Sequence, residues 1–146
     1  MENRIKWFEQ ECKKHGIKLT PQRVGVYKVL AEAVDHPSAD VVYQRVRKLF
    51  PNVSLDTVNR TLLTFSELGI AFIVEGSGDV RRYDGGLGLH QHFKCVKCKR
   101  IVDFHHEPFD NITVPEELDS RFEILRKTVY FEGLCEDCKN KGNEIN

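Results

Sequence analysis

No stretch of this 146-residue chain is apolar for long, because charged residues (30% of the total) interrupt every hydrophobic run short of the ~20 residues a bilayer span requires. The N-terminus, MENRIKWFEQECKKHG, lacks the apolar core of a secretory signal, so a cytoplasmic protein with no membrane partner is expected. Neither sign of charge prevails, with 22 Lys/Arg against 22 Asp/Glu. That balance withholds the strongly basic signature of many nucleic-acid binders without excluding one, since clustering on one face matters more than the total. Divided at Asp84, the first part carries 13 basic against 11 acidic residues and the remainder 9 against 11, a mild asymmetry in the direction DNA binding would need. No repeat is visible beyond a pair of Cys-x-x-Cys motifs, and no βαβ pattern surrounds them to suggest a thioredoxin-like redox site.

Those motifs are the strongest chemical signal. Cys95/Cys98 and Cys135/Cys138 form two pairs whose short turns aim both sulfurs at one point, so four thiolates can close a tetrahedral zinc site. Reduced cytoplasmic thiols favour metal ligation over disulfides. Thirty-six residues separate Cys98 from Cys135, longer than usual for a zinc ribbon, yet loop-closure entropy rises by only ~0.6 kcal/mol per doubling of length. The fifth cysteine, Cys12, aligns with Ile5 and Phe8 on one helical face and reads as a small buried hydrophobe.

The N-terminal half reads as four helices and a hairpin. Residues 3–15 form the first helix, with Gly16 as a left-handed C-cap. Thr20-Pro21 supplies an N-cap and an N1 proline for a helix running through Val24, Tyr27, Leu30 and Ala31. His36-Pro37-Ser38 breaks the chain, and Ser38 caps a helix expected to bury Val42, Val46 and Leu49 before Pro51 ends it. Ser54 caps the fourth, with the stripe Leu55, Val58, Leu62 and Phe65, stopped by Gly69. Thr57, Arg60 and Thr64 fall opposite that stripe and Asn59 on its flank, a set suited to base edges and phosphates in a major groove. Alternating Ile70, Phe72 and Val74, a turn at 76–79 and a strand Val80–Asp84 with Arg81 and Arg82 complete a winged helix-turn-helix outline. An ordinary helical domain with solvated arginines fits the same pattern.

Gly85-Gly86-Leu87-Gly88 marks a joint, about 84–89, between domains 1–84 and 85–146. Beyond it, strand-like runs at 90–96, 100–104 and 122–131, with a short helix near Pro115–Asp119, indicate a small α/β unit. About 60 residues bury little core, a shortfall that structural zinc would offset. The expected fold class is therefore α+β. His90 and His92 share one strand face and Asp103 lies on the probable neighbour, so the three are either metal ligands or surface groups. His15, His105 and His106 read as structural or surface residues.

The chain resembles the ferric uptake regulator family of bacterial metal-dependent repressors. The similarity is carried by Leu19-Thr20-Pro21-Gln22-Arg23, His36-Pro37-Ser38-Ala39, Val53-Ser54-Leu55-Asp56-Thr57-Val58, Leu68-Gly69-Ile70, His90-Gln91-His92-Phe93-Lys94-Cys95-Val96-Lys97-Cys98, Ile101-Val102-Asp103-Phe104 and Gly133-Leu134-Cys135-Glu136-Asp137-Cys138. It implies a homodimer that reads double-stranded operator DNA through Thr57, Asn59, Arg60 and Arg81, with a C-terminal dimerisation unit holding structural Zn2+. It also implies a regulatory metal, Fe2+ or Mn2+ and alternatively Zn2+, bound by His36, Asp84, His90, His92 and Asp103. One ion drawing ligands from both halves would favour a closed form, and a shift from 1:99 to 99:1 needs about 5.5 kcal/mol of preference. Affinity order does not choose the metal for such a mixed set. The string around Asp103 is similar to the peroxide-responsive branch, in which Fe(II) reacts with peroxide and a ligating histidine is oxidised; His36 and His90 would be the candidates here. An iron- or zinc-responsive repressor of metal uptake is the alternative.

Outside that class stand a metallohydrolase activating water at His36, His90, His92 and Asp103, and a zinc-stapled adaptor without DNA. No further acid or nucleophile is suitably spaced, so the chain is not expected to be an enzyme. Leu89, Gln91 and Arg126 or Lys127 stand where relatives often carry His, Asp and His, so the additional metal site some of them build is not expected. Asn59 stands where relatives usually carry tyrosine, and asparagine can pair with adenine N6 and N7. An altered operator follows, to be read by selecting sites from random DNA. Recovery of the ordinary family operator, unchanged by Asn59→Ala, would contradict it.

Overall fold

The structure, a computed structural model, describes residues 1–74, 80–86 and 90–140. The chain divides into two compact units, Met1–Leu87 and Gly88–Asn146. The turn expected at 76–79, most of the tail after Cys138, and Leu87, Gly88 and Leu89 of the expected joint lie outside the described residues.

The first unit contains α1 (Glu2–Lys14), α2 (Pro21–Glu32), α3 (Ala39–Val46), α4 (Leu55–Glu67) and a ribbon of β1 (Phe72–Ile73) and β2 (Tyr83–Asp84). Local chemistry sets the helix boundaries. Thr20, Ser38 and Ser54 accept from the backbone N–H of Arg23, Val41 and Thr57 at 3.2, 3.4 and 3.0 Å. Each thereby satisfies a donor that has no partner inside its helix. Both α1 and α4 end in the same left-handed glycine cap. Gly16 (φ 70°) and Gly69 (φ 76°) turn the chain so that Ile17 donates to Cys12 O and Ile70 to Phe65 O, each at 2.8 Å.

The apolar faces meet around an aromatic cluster. Phe8 stacks on Tyr27 at 4.4 Å and meets Phe65 edge-on at 5.3 Å. Cys12, Val26, Leu30, Val42, Val46, Val58 and Leu62 fill the space between helices, each nearly solvent-free. Burial of each large side chain stabilises by about 1.5–3 kcal/mol. Cys12 is thus part of this core, as its helical phase indicates.

Three sequence expectations change. Leu49 is 61% exposed, because α3 stops at Val46 and the chain turns so that Phe50 packs on the core instead. Leu55 is 42% exposed: as the first residue of α4 it precedes the turns that face the core. The ribbon is shorter than expected. Ile70 is buried in the α4 cap rather than in a strand, and only Tyr83 and Asp84 of the run from Val80 are strand, paired as Phe72↔Asp84 and Ile73↔Tyr83. Gly85 serves close approach as well as freedom. A Cβ there would stand 2.9 Å from Leu30 Cγ, and the Gly85 carbonyl accepts from the Arg4 guanidinium.

The second unit is a three-stranded sheet of order β4-β3-β5, from β3 (Gln91–Cys95), β4 (Ile101–Phe104) and β5 (Tyr130–Gly133). β3 runs antiparallel to β4 and parallel to β5, with His92 opposite Asp103 on one side and Tyr130 on the other. A 3-10 turn (Glu107–Asn111), α5 (Glu116–Asp119) and α6 (Glu136–Asn140) complete it. The strand expected over 122–131 is present only from Tyr130, and continues to Gly133. Residues 122–129 are not strand, Leu125 is 86% exposed, and the Lys127 ammonium donates to Ile112 O at 2.6 Å.

At Gly69 an added Cβ would meet nothing within 4 Å, so Gly69→Ala isolates the backbone cost of the left-handed conformation. That cost is about 1 kcal/mol, and Tm should fall by about 4–8 °C for a domain of this size. Thermal melts followed by far-UV circular dichroism measure it, and an unchanged Tm would contradict the assignment.

Candidate metal centres and the candidate recognition helix

β3 ends in Cys95, the tight turn after it carries Cys98, and the β5–α6 junction brings Cys135 and Cys138 to the same place. The four sulfurs lie within 4.8 Å of one another, with Cys98 and Cys135 Sγ 3.8 Å apart. A zinc ion with sulfurs at ~2.3 Å in tetrahedral array has S–S edges of about 3.8 Å, so the site fits that ion. Lys99, at φ 69°, folds the turn back so that its N–H reaches Cys95 O at 2.9 Å, while the Cys98 N–H points at Cys95 Sγ at 3.5 Å.

Proton affinity is uneven across the four thiols. Hydrogen bonds from the backbone N–H groups of Cys135 and Cys98 pull Cys95 down to about 6. A backbone hydrogen bond from Cys138 likewise lowers Cys135. Burial, with the neighbouring thiols, pushes Cys138 up to about 12. A cluster of this kind does not carry four negative charges by itself, whereas a divalent cation makes full deprotonation favourable.

Each unit also carries a His/Asp pair. In the first, His36 and Asp84 are both buried, with His36 Nε2 3.8 Å from Asp84 Oδ2. In the second, His92 Nε2 lies 3.1 Å from Asp103 Oδ1 across the β3–β4 ladder. The His90 ring stands edge-on to that of His92 at 4.8 Å. Ligand atoms about 2.1 Å from a common ion are ~3.0 Å apart at a right angle and at most ~4.2 Å apart, so either pair suits two positions of one divalent ion. Mixed imidazole and carboxylate donors accept Zn, Fe or Mn.

The residues singled out on α4 separate into two groups. Asn59 and Leu55 line a cleft of about 330 Å³ with Arg81 and Val80 from the chain leading into β2. Arg60 is highly exposed and pairs with Asp56 at 3.0 Å, one helical turn earlier. Exposed i,i+4 pairs of this kind contribute only ~0.3–0.5 kcal/mol, little hindrance to a phosphate contact. Thr57 is committed locally, since its Oγ1 accepts from Ser54 Oγ at 2.9 Å.

Two residues have roles that sequence reasoning missed. Arg82, expected among the wing charges, turns inward: its Nε donates to His36 O at 2.7 Å and a terminal nitrogen donates to Asp35 O. Gln91 is buried and organises residues 105–110, accepting from His106 N at 2.8 Å and donating to Asp110 at 3.2 Å. His105 pairs with Asp110 at 2.8 Å, which holds that carboxyl below the usual carboxylate range. Alternation along the strand was the one available hint to the inward turn of Arg82.

A helical unit ending in a β-ribbon, followed by a sheet unit with a four-cysteine cluster and with a His/Asp pair in each, defines a metal-dependent winged-helix regulator. The sequence profile of the ferric uptake regulator family matches residues 14–132. The peroxide-responsive repressor PerR of Staphylococcus epidermidis is 32% identical over 131 residues, 90% of this chain and 87% of that protein. The peroxide operon regulator of Bacillus subtilis is 30% identical over 134 residues, 92% of each. The fold matches that of the ferric uptake regulator Fur of Helicobacter pylori with a TM-score of 0.72 at 22% identity, covering 94% of this chain and 93% of that one. The chain belongs to the ferric uptake regulator family, whose members are transcriptional regulators.

If zinc at the four cysteines holds the second unit together, stripping it removes of order 10 kcal/mol of folding free energy. Strong chelation, or Cys138→Ser, should abolish hydrogen-exchange protection in β3–β5 while the helices of the first unit keep theirs. Retained protection in β3–β5 at zero zinc content would contradict that role.

Proposed function

We propose that this metal-responsive repressor acts as a homodimer on double-stranded operator DNA and senses peroxide through a divalent ion. Domain 1–84 binds DNA and domain 85–146 dimerises, with the joint at about 84–89 between them. Cys95, Cys98, Cys135 and Cys138 hold the structural zinc. His36, Asp84, His90, His92 and Asp103 hold the regulatory ion. The observation that carries this reading is the pair of half-sites, His36/Asp84 in one unit and His92/Asp103 in the other. Neither alone offers enough donors to saturate a divalent ion, and together with His90 they offer five. An ion engaging both sets biases the dimer toward the form that spans its operator, because a form that engages one set binds the ion less tightly.

Two supports favour peroxide as the signal: the peroxide-responsive relatives at about 30% identity over most of the chain, and the imidazole-rich donor set. Fe(II), when bound, supplies the electron transfer that activates peroxide. The protein supplies the target, an imidazole of His36 or His90, which gains one oxygen as water leaves. An oxidised ring is a poorer donor, so the set of five is broken and the DNA-binding form loses its bias. On DNA, Asn59 faces base edges beside the wing, Thr57 lies at the helix N-terminal end, and Arg60 and Arg81 reach phosphates. The protein works in the cytoplasm, where thiols stay reduced and Fe(II) is accessible.

The test is anaerobic loading with Fe(II), addition of peroxide, and mass spectrometry of histidine-containing peptides alongside a DNA gel shift. A gain of one oxygen on His36 or His90, loss of the shift, and no change in Mn(II)-loaded controls are expected. Full iron occupancy without that gain would redirect the assignment to an iron-responsive repressor.

A further inference from the structure

His36 occupies an unusual backbone state. Its φ is 50°, in the left-handed region that side chains other than glycine adopt only when their surroundings impose it. Pro37 follows it and restricts it further toward extended conformations, so local sequence opposes what is observed. The restraint comes from elsewhere in the first unit. The Arg82 guanidinium spans the carbonyls of Asp35 and His36, Tyr83 N–H donates to Pro37 O at 3.0 Å, and Ser38 and Arg82 form an isolated antiparallel bridge. Asp35 is held in turn by both terminal guanidinium nitrogens of Arg45 on α3, one at 3.0 Å, and that pairing lowers its carboxyl below the usual range. Arg82 is also two residues ahead of Asp84, so a single short segment delivers one ligand side chain and fixes the backbone of the other.

We propose that Arg82 is a positioning residue for the regulatory metal: its planar fork locks the 35–36 peptide so that the His36 imidazole faces Asp84. The fork geometry is essential, because two carbonyls on successive residues are bridged by one rigid guanidinium. A lysine offers a single point donor on a flexible stem. The proposal rests on the assignment of His36 as a ligand, and it makes Arg82 the one wing-strand arginine whose chief role is metal affinity, in contrast to the exposed Arg81.

The full-length zinc-containing protein is titrated with Mn(II), and separately saturated with Co(II) for its electronic spectrum. Loss of a residue that orients a metal ligand typically costs 10–100-fold in affinity, and Arg82→Gln should weaken Mn(II) binding by that factor. Arg82→Lys should fall between it and the parent, and Arg81→Gln should leave Mn(II) affinity unchanged while weakening DNA binding. At saturating Co(II) the Arg82→Gln spectrum should move toward that of His36→Ala, which a mere loss of stability would not produce. Unchanged Mn(II) affinity in Arg82→Gln, with His36→Ala strongly impaired, overturns the positioning role and leaves the site assignment intact. A parent-like Co(II) spectrum at saturation overturns it too. Unchanged affinity in His36→Ala overturns the site assignment, and this proposal with it. If Arg82→Gln fails to fold, Arg82→Lys decides: parent affinity and spectrum overturn the proposal.

Discussion

Among the described residues, the second unit has almost no buried apolar interior apart from its sulfur cluster. Its buried hydrophobic set is Cys95, Cys135 and Cys138, with Phe93 and Leu134 packed against them. A sheet of three short strands cannot offset its conformational entropy from so small a core, so convergence of the four thiols is the constraint on which that unit depends. The same convergence aligns β5 beside β3, since Cys95 lies opposite Gly133, two residues before Cys135. With β3 held between its neighbours, His92 is set opposite Asp103. The staple thus sets the geometry of the His92/Asp103 pair without contributing an atom to it.

The first unit is organised differently. Its core is ample and aromatic, and polar tethers at its edge hold the pieces near the candidate site. Arg4 reaches from α1 to the carbonyls of Ala31 and Gly85, while Arg82 reaches to those of Asp35 and His36. Two arginines therefore fix the chain on either side of the His36/Asp84 pair, and the Asp84 carboxylate itself accepts from Gly86 N at 2.7 Å. Buried carbonyls at bends need donors, and a guanidinium supplies several in one plane. This arrangement connects the segment preceding α3 to the ribbon, so a change at His36 has a direct mechanical route through α3 to α4, which packs on it.

Much of the architecture was legible because its causes are local. The caps Thr20, Ser38 and Ser54, the terminal glycines 16 and 69 and the Cys-x-x-Cys turns each act through bonds spanning fewer than six residues. What was misread had non-local causes. Leu49 and Leu55 match the helical period of their neighbours, but their exposure depends on where the chain leaves or enters the helix. Residues 122–129 read like a strand, yet only Tyr130–Gly133 runs beside β3, where the register with Cys95 is set. Arg82 reads like Arg81, and only the carbonyls presented by the 35–36 bend distinguish them.

By itself, the sequence supplied the caps that start α2, α3 and α4, the glycines that end α1 and α4 and the four-cysteine donor set, and it named the candidate ligands, because capping, periodicity and ligand chemistry are written in short intervals. The tertiary structure decided the pairings His36 with Asp84 and His92 with Asp103, the inward turn of Arg82 and the left-handed state of His36. Those features arise from contacts between residues roughly ten to fifty positions apart, where the outcome depends on which carbonyl, edge or side chain packing leaves in reach.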